Sequence, residues 1–144
     1  MDTLSALSIR QPWLDMILRG VKSIEIRSWP LRHLGVIALH SPLNIDYGAA
    51  YFYGYQKPWL LLRGKILGLA EITDVQSLDH SSWLETLPYH RQPLPMIGGA
   101  YGVVLKNVRV LPHPVPCRGR QMVFPLDNDV AELVRRSAAD LKTE

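Results

Sequence analysis

Cysteine is almost missing from this chain of 144 residues. Cys117 stands alone, so no internal disulfide can brace the fold. A solitary thiol followed by Arg118 and Arg120 fits a reducing compartment, and a cytoplasmic location is the expectation. Long apolar runs are missing too. Runs such as Trp59 to Leu62 fall far short of the roughly 20 residues a membrane-spanning helix needs, so no membrane partner is expected. The start carries an acid at position 2 and no uninterrupted hydrophobic stretch, which reads as no signal peptide. HExxH, GxxxxGK[ST], GxSxG and GxGxxG are all absent. His33, His40, His80, His90 and His113 follow no zinc spacing, and one cysteine cannot complete a thiolate set. Conventional metalloprotease, nucleoside-triphosphatase and serine-hydrolase readings are therefore set aside, and neither a metal nor a cofactor is expected.

Acidic residues are missing from one long tract. Residues 86–126 hold Arg91, Lys106, Arg109, Arg118 and Arg120 and no carboxylate. Residues 26–70 hold Arg27, Arg32, Lys57, Arg63 and Lys65 against Asp46 alone. Glu71, Asp74, Asp79 and Glu85 separate the two tracts. The net charge of +3 says little by itself. If the two basic tracts share a face, that face attracts a polyanion; otherwise they are ordinary solvated surface.

Hydrophobic residues make up 47% of the chain, enough for a sizeable core. Leu4 to Ile9 reads as a strand with Leu7 and Ile9 on one face. After Gln11-Pro12 the period becomes helical: Trp13 pairs with Ile17 and Leu14 with Leu18, and Gly20 suits the position after the helix. Ser23 to Arg27 alternates again, with Ile24 and Ile26 opposite Glu25 and Arg27. Further strands are expected at Val36 to Leu39, Lys65 to Ile72, Tyr101 to Leu105 and Met122 to Phe124, and a short helix near Ser82 to Leu87. Tyr47 to Leu62 reads as a helix or an irregular excursion. Pro112, Pro114 and Pro116 each remove a ladder donor, which predicts an extended rim and not a central strand. A carboxy-terminal helix over about 128–141 is capped by Asp127-Asn128. Strands without regular helical crossovers predict a mixed α+β domain, a closed or partly closed β-barrel with short flanking helices.

The stretch SIRQPWLDMILRGVKSIEIRSW gathers Arg10, Gln11, Trp13, Lys22, Glu25, Arg27 and Trp29 around one strand–helix–strand unit. Glu25 and Arg27 on one strand face offer an acceptor beside a fork of donors, which can read a base edge or form a plain salt bridge. Lys22, at the junction after the helix, can supply charge to phosphate, or act as nucleophile or base if burial lowers its pKa; most lysines are simply surface. Trp13 belongs to the apolar helix face and reads as core. Trp29, before Pro30, can stack on an unpaired base. His40, at the end of an apolar strand, is either a rim group or a satisfied buried histidine.

LSIRQPWLDMILRGVKSIEIRSWP resembles the opening motif of ASCH domains, in which a QPW helix leads through G-x-K into an E-x-R-S-W strand. Arg32 and Gly35, the strand Val36 to His40, Lys65 to Ile72 and Pro116 to Gln121 continue the match over roughly residues 4–124. The chain departs from the pattern at Leu34, where a basic residue is common, and at Met122, where a glycine or small residue is common. The resemblance implies a PUA-like β-barrel, one domain over residues 1–144, with a cleft lined by the motif. Gln11, Lys22, Glu25, Arg27, Trp29, His40, Arg118 and Gln121 are the candidate ligand-binding residues. RNA or a nucleotide-like molecule is the implied ligand. One alternative is a small hydrolase of an acylated nucleoside or RNA, with Lys22 and Glu25 as catalytic groups. One ASCH branch hydrolyses acylated cytidines with a lysine, a threonine and a glutamate, and ribonuclease activity has been attributed to another member. Lys22 matches that lysine, but Glu25 falls where the threonine would be. Another alternative is a protein-interaction or coactivator-like module, which a large apolar patch near Tyr47 to Leu62 would favour.

Overall fold

The computed structural model describes residues 3–94, 96 and 98–141. Six strands form one sheet in the order β2-β5-β4-β3-β1-β6, with β1 (Ser5–Ser8), β2 (Ile24–Arg27), β3 (Gly35–Ser41), β4 (Lys65–Leu78), β5 (Ala100–Pro116) and β6 (Val123–Pro125). Only β1 and β3 run parallel; the other pairs are antiparallel.

The expected barrel is not formed. β2 pairs with β5 and β6 with β1, but β2 and β6 do not pair with each other, so the sheet stays open. Closure removes exposed ladder groups, but short edge strands limit the same liability. Here the outermost strands β2 and β6 are only four and three residues long. α4 (Leu87–His90) packs against β2, and the carboxy-terminal helix packs against β5, which β2 pairs only over residues 101–104.

The sheet is buried on both faces. Leu7, Ile9, Ile37 and Leu39 pack under α1 (Trp13–Leu18) and α2 (Tyr47–Phe52) with Trp13, Leu14, Ile17 and Ala49. Ala6, Ala38, Ile66, Leu111 and Phe124 face the other way, against Ala131 and Val134 of α5 (Asn128–Asp140). Small residues in β1 and β3 thus admit α5, while the larger alternate residues fill the main core. Six residues cannot hold α1 helical alone. Burial of Leu14 and Ile17, about 1.5–3 kcal/mol each, does so. Gln11 Oε1 accepts from the Asp15 N–H at 2.8 Å, and Gly20 follows the helix at φ 78°.

The proline-rich tract belongs to a strand after all, yet behaves as an edge where it must. β5 is central only over residues 101–104, where β2 and β4 flank it. From Arg109 onward it pairs with β4 alone, through register shifts on either side of Gly68. A Cβ on Gly68 would lie 2.8 Å from the Arg109 carbonyl oxygen, so the bulged crossing needs glycine there. Between the prolines, His113 donates its N–H to Ser137 Oγ at 3.0 Å and accepts the hydroxyl proton at 2.9 Å, so α5 replaces the missing ladder. The aromatic tract resolves into α2 and a 3-10 turn at Pro58–Leu60; α3 (His80–Glu85) and α4 replace the one short helix expected. Asp127 precedes α5 without a side-chain capping bond. No helix among the described residues is long and apolar enough to cross a membrane.

Candidate functional site

The open seam of the sheet is where the polar groups collect. β1 and β2 are not hydrogen-bonded neighbours, yet Arg27 on β2 reaches over and donates from Nη2 to the Ser8 carbonyl on β1. Two cavities lie on either side of this bridge and share Ser8, Arg10, Arg27 and Trp29 as a common wall. The smaller, about 410 Å³, has Glu25 and Arg27 of β2 on one side and Gln92, Leu94 and Met96 in its lining, with Trp13 and Trp83. The larger, about 790 Å³, opens between the ends of β1 and β3 and the 117–122 segment, with His40, Asn44, Arg118, Arg120 and Gln121. Among the described residues, four arginines and no carboxylate line the larger cavity.

Beneath the smaller cavity lies an ionic cluster. Lys22 is almost wholly buried, donating to the His90 carbonyl at 2.6 Å, paired with Glu25 Oε1 at 3.4 Å and lying 4.8 Å over the Trp13 ring. Glu25 Oε2 meets Arg27 at 3.3 Å. Burial pushes the Lys22 ammonium below its ordinary value, and Glu25 opposes that shift. The turn after Gly20 fixes the lysine's origin: the N–H groups of Val21 and Lys22 both bond to the Met16 carbonyl. The Glu25–Arg27 pair is therefore part of a buried network and not a loose bridge on a wet face. Arg27 Nε is buried without a hydrogen-bond partner among the described residues.

His40 is buried and satisfied at both nitrogens, with Ser8 Oγ 2.8 Å from Nδ1 and the Cys117 carbonyl 2.8 Å from Nε2. Burial lowers its pKa. Trp29 is 42% exposed at the shared wall.

The eight candidate residues divide accordingly. Glu25, Arg27 and Trp29 line the smaller cavity; Arg27, Trp29, His40, Arg118 and Gln121 line the larger. Lys22 sits behind the wall and lines neither. Gln11 is also away from both: it is buried, and it bonds to the Asp15 N–H and the Leu62 carbonyl. Ser8, Arg10, Arg120 and Trp83 were not among the eight. Alternation along β1 signalled Ser8 and Arg10 as polar-faced, and Arg120 stands in the late motif; nothing in the local pattern marked Trp83. No group of three or more histidine, cysteine or carboxylate side chains that could hold a metal occurs among the described residues.

The model of the ASCH domain family matches residues 7–111. The chain belongs to the ASCH domain family. Human and mouse Activating signal cointegrator 1 are each 25% identical to it over 142 residues; the match covers 86% of this chain and 22% of theirs. This ASCH chain thus spans about a fifth of the length of those relatives. A crystal structure of ASCH from Zymomonas mobilis superposes with a TM-score of 0.63 at 13% identity, covering 95% of this chain and 94% of that one. A serine-to-alanine variant of the Zymomonas mobilis protein gives 0.65 at 14% identity, covering 92% and 94%. These likenesses establish the fold as that of an ASCH domain, here a mixed α+β domain with an open sheet.

Proposed function

We propose that this ASCH domain binds single-stranded RNA or a nucleotide-like ligand across the sheet seam. The observation that carries the reading is the larger cavity's four arginines, with no carboxylate among the described lining residues, joined through Trp29 to a cavity lined by Trp13 and Trp83. Phosphate would lie among Arg10, Arg27, Arg118 and Arg120, and an unpaired base would stack on Trp29. Glu25 and Gln92 then offer an acceptor and a mixed donor–acceptor to a base edge in the smaller cavity. A duplex, with its bases already stacked, gains nothing from Trp29. Titration of short RNA single strands against the matching duplex tests this: the single strand binds more tightly, and Trp29→Ala removes that preference. Equal affinity for both forms would defeat the stacking part of the reading.

A protein-binding role has its own observation. Tyr47, Tyr51, Phe52, Trp59 and Leu60 are all about half exposed or more on α2 and the 3-10 turn that touches it. Apolar surface gathered in this way is often an interface. Substituting Phe52 and Trp59 by serine would abolish such an interaction and leave RNA affinity unchanged.

A further inference from the structure

Ser8 and His40 face one another across the parallel β1–β3 ladder. The Cys117 carbonyl can only accept, so the His40 Nε2 beside it carries a hydrogen. In the neutral ring, Nδ1 is then an acceptor for the Ser8 hydroxyl at 2.8 Å, nearer than the Arg120 carbonyl at 3.2 Å that competes for the same hydrogen. Burial favours that neutral ring. A hydroxyl, a base and a group orienting the base therefore stand in line, and Ser8 and His40 both line the larger cavity. Arg27 is beside them, bonded to the Ser8 carbonyl, with Nε buried and without a partner among the described residues. That Nε is shielded, but the guanidinium lines the same cavity and sets positive charge beside a developing oxyanion. Gly119 lies directly over the pair: a Cβ there would come within 2.9 Å of Nδ1 and 3.2 Å of Ser8 Oγ.

We propose that Ser8 is a nucleophile activated by His40, removing the acyl group from a carboxylic ester on the ribose of a nucleotide. Ser8 Oγ bonds to the acyl carbon while its proton passes to His40 Nδ1, and Arg27 faces the oxygen that takes up negative charge. The ester C–O bond then breaks, and the proton on Nδ1 goes to the departing ribose oxygen. Water, losing a proton to the same nitrogen, attacks the acyl-serine; the carboxylic acid leaves and Ser8 regains its hydrogen. A neutral carbonyl behind the imidazole supports imidazolium less than a carboxylate would, which restricts the chemistry to esters and excludes amides. The alcohol side of the substrate rests on the nucleotide reading above; the acyl transfer to Ser8 does not.

The full chain is incubated with p-nitrophenyl acetate and, separately, with 3′-O-acetyl adenosine 5′-monophosphate, and acetylated peptides are mapped by mass spectrometry. Ser8 is acetylated by both, and the nucleotide ester turns over faster. Ser8→Ala abolishes the adduct. His40→Asn keeps an acceptor near Ser8 but cannot take a proton, and lowers turnover by about 100-fold or more. Thermal unfolding checks that both variants fold, and a fluorophosphonate probe gives a second readout of Ser8 nucleophilicity in the unaltered chain. Acetylation of Ser8 without preference for the nucleotide ester supports the serine chemistry and overturns the ribose-ester substrate. No adduct and no probe label on Ser8 overturns the proposal outright, and reduces the Ser8–His40 pair to a clamp on the 117–120 segment.

Discussion

Removing Glu25 should damage the fold more than removing Lys22, although the two form one ion pair. Glu25 is the counter-charge for both Lys22, whose side chain is fully buried, and Arg27, which is 18% exposed. Glu25→Ala leaves one cation buried without any partner charge and a second one half-shielded, a change worth about 3–5 kcal/mol. Lys22→Met acts differently. It breaks the 2.6 Å bond to the His90 carbonyl, a charge-assisted bond worth about 1.5–3 kcal/mol. It also removes a desolvated ammonium, returning several kcal/mol, and Glu25 keeps Arg27. The net cost is about 0–2 kcal/mol. Urea unfolding followed by tryptophan fluorescence measures both, with Trp13 stacked on the lysine as an internal reporter. The pH dependence adds a signature. The folded-state pKa of Lys22 lies below its ordinary 10.5, so between those values the unfolded chain binds more protons and stability rises with pH. In Glu25→Ala that window extends to lower pH, because only burial and Arg27 then act on the ammonium. The reasoning is refuted if Lys22→Met costs more than Glu25→Ala, or if the alanine variant loses under about 1 kcal/mol.

Three further outcomes are expected. Gly119→Ala forces a methyl group against the His40 ring; it should destabilise by about 1–3 kcal/mol, measured by thermal unfolding. Met122 occupies a left-handed conformation at φ 63° beside the larger cavity, so Met122→Gly should relieve about 1 kcal/mol of backbone strain, less the added entropy of a glycine in the unfolded chain. Burial holds the His40 and His90 pKa values below 6.5. Their contribution to stability is complete above 6.5 and is lost as the pH falls toward the folded-state values; a pH–denaturation series shows this decline, and His40→Asn makes it shallower.

The local pattern of this chain carried most of its elements. The switch of period across Gly20 located α1 and β2, because a six-residue helix and a four-residue strand each show one clean repeat. The open sheet was not legible, since closure depends on whether β2 meets β6, and no residue pattern within either strand records that. The length of β5 was hidden for a related reason: three prolines forbid a central strand locally, and only the partnership of Ser137 with His113 shows how the tract stays in the sheet. In the candidate site, Glu25, Arg27 and Trp29 could be read from alternation and motif. Lys22 could not be read as buried, nor Gln11 as a helix-anchoring group, because both outcomes depend on α4 and on the Leu62 segment, far away in sequence. Met122 shows how a departure from the family pattern gains physical meaning, since the glycine common there would accept the positive φ without strain.

The central claim, an anion-binding seam framed by arginines, is tested most directly by the salt dependence of RNA affinity. Binding of a short single-stranded RNA is titrated from low to physiological salt for the unaltered chain, Arg27→Gln, Arg120→Gln and, as a control outside both cavities, Arg136→Gln. The account predicts a linear fall of log K with log salt, with the slope shallower by about 0.7 for each seam arginine removed and unchanged for Arg136→Gln. Absence of saturable binding at low salt, or slopes indifferent to Arg27 and Arg120, would contradict it.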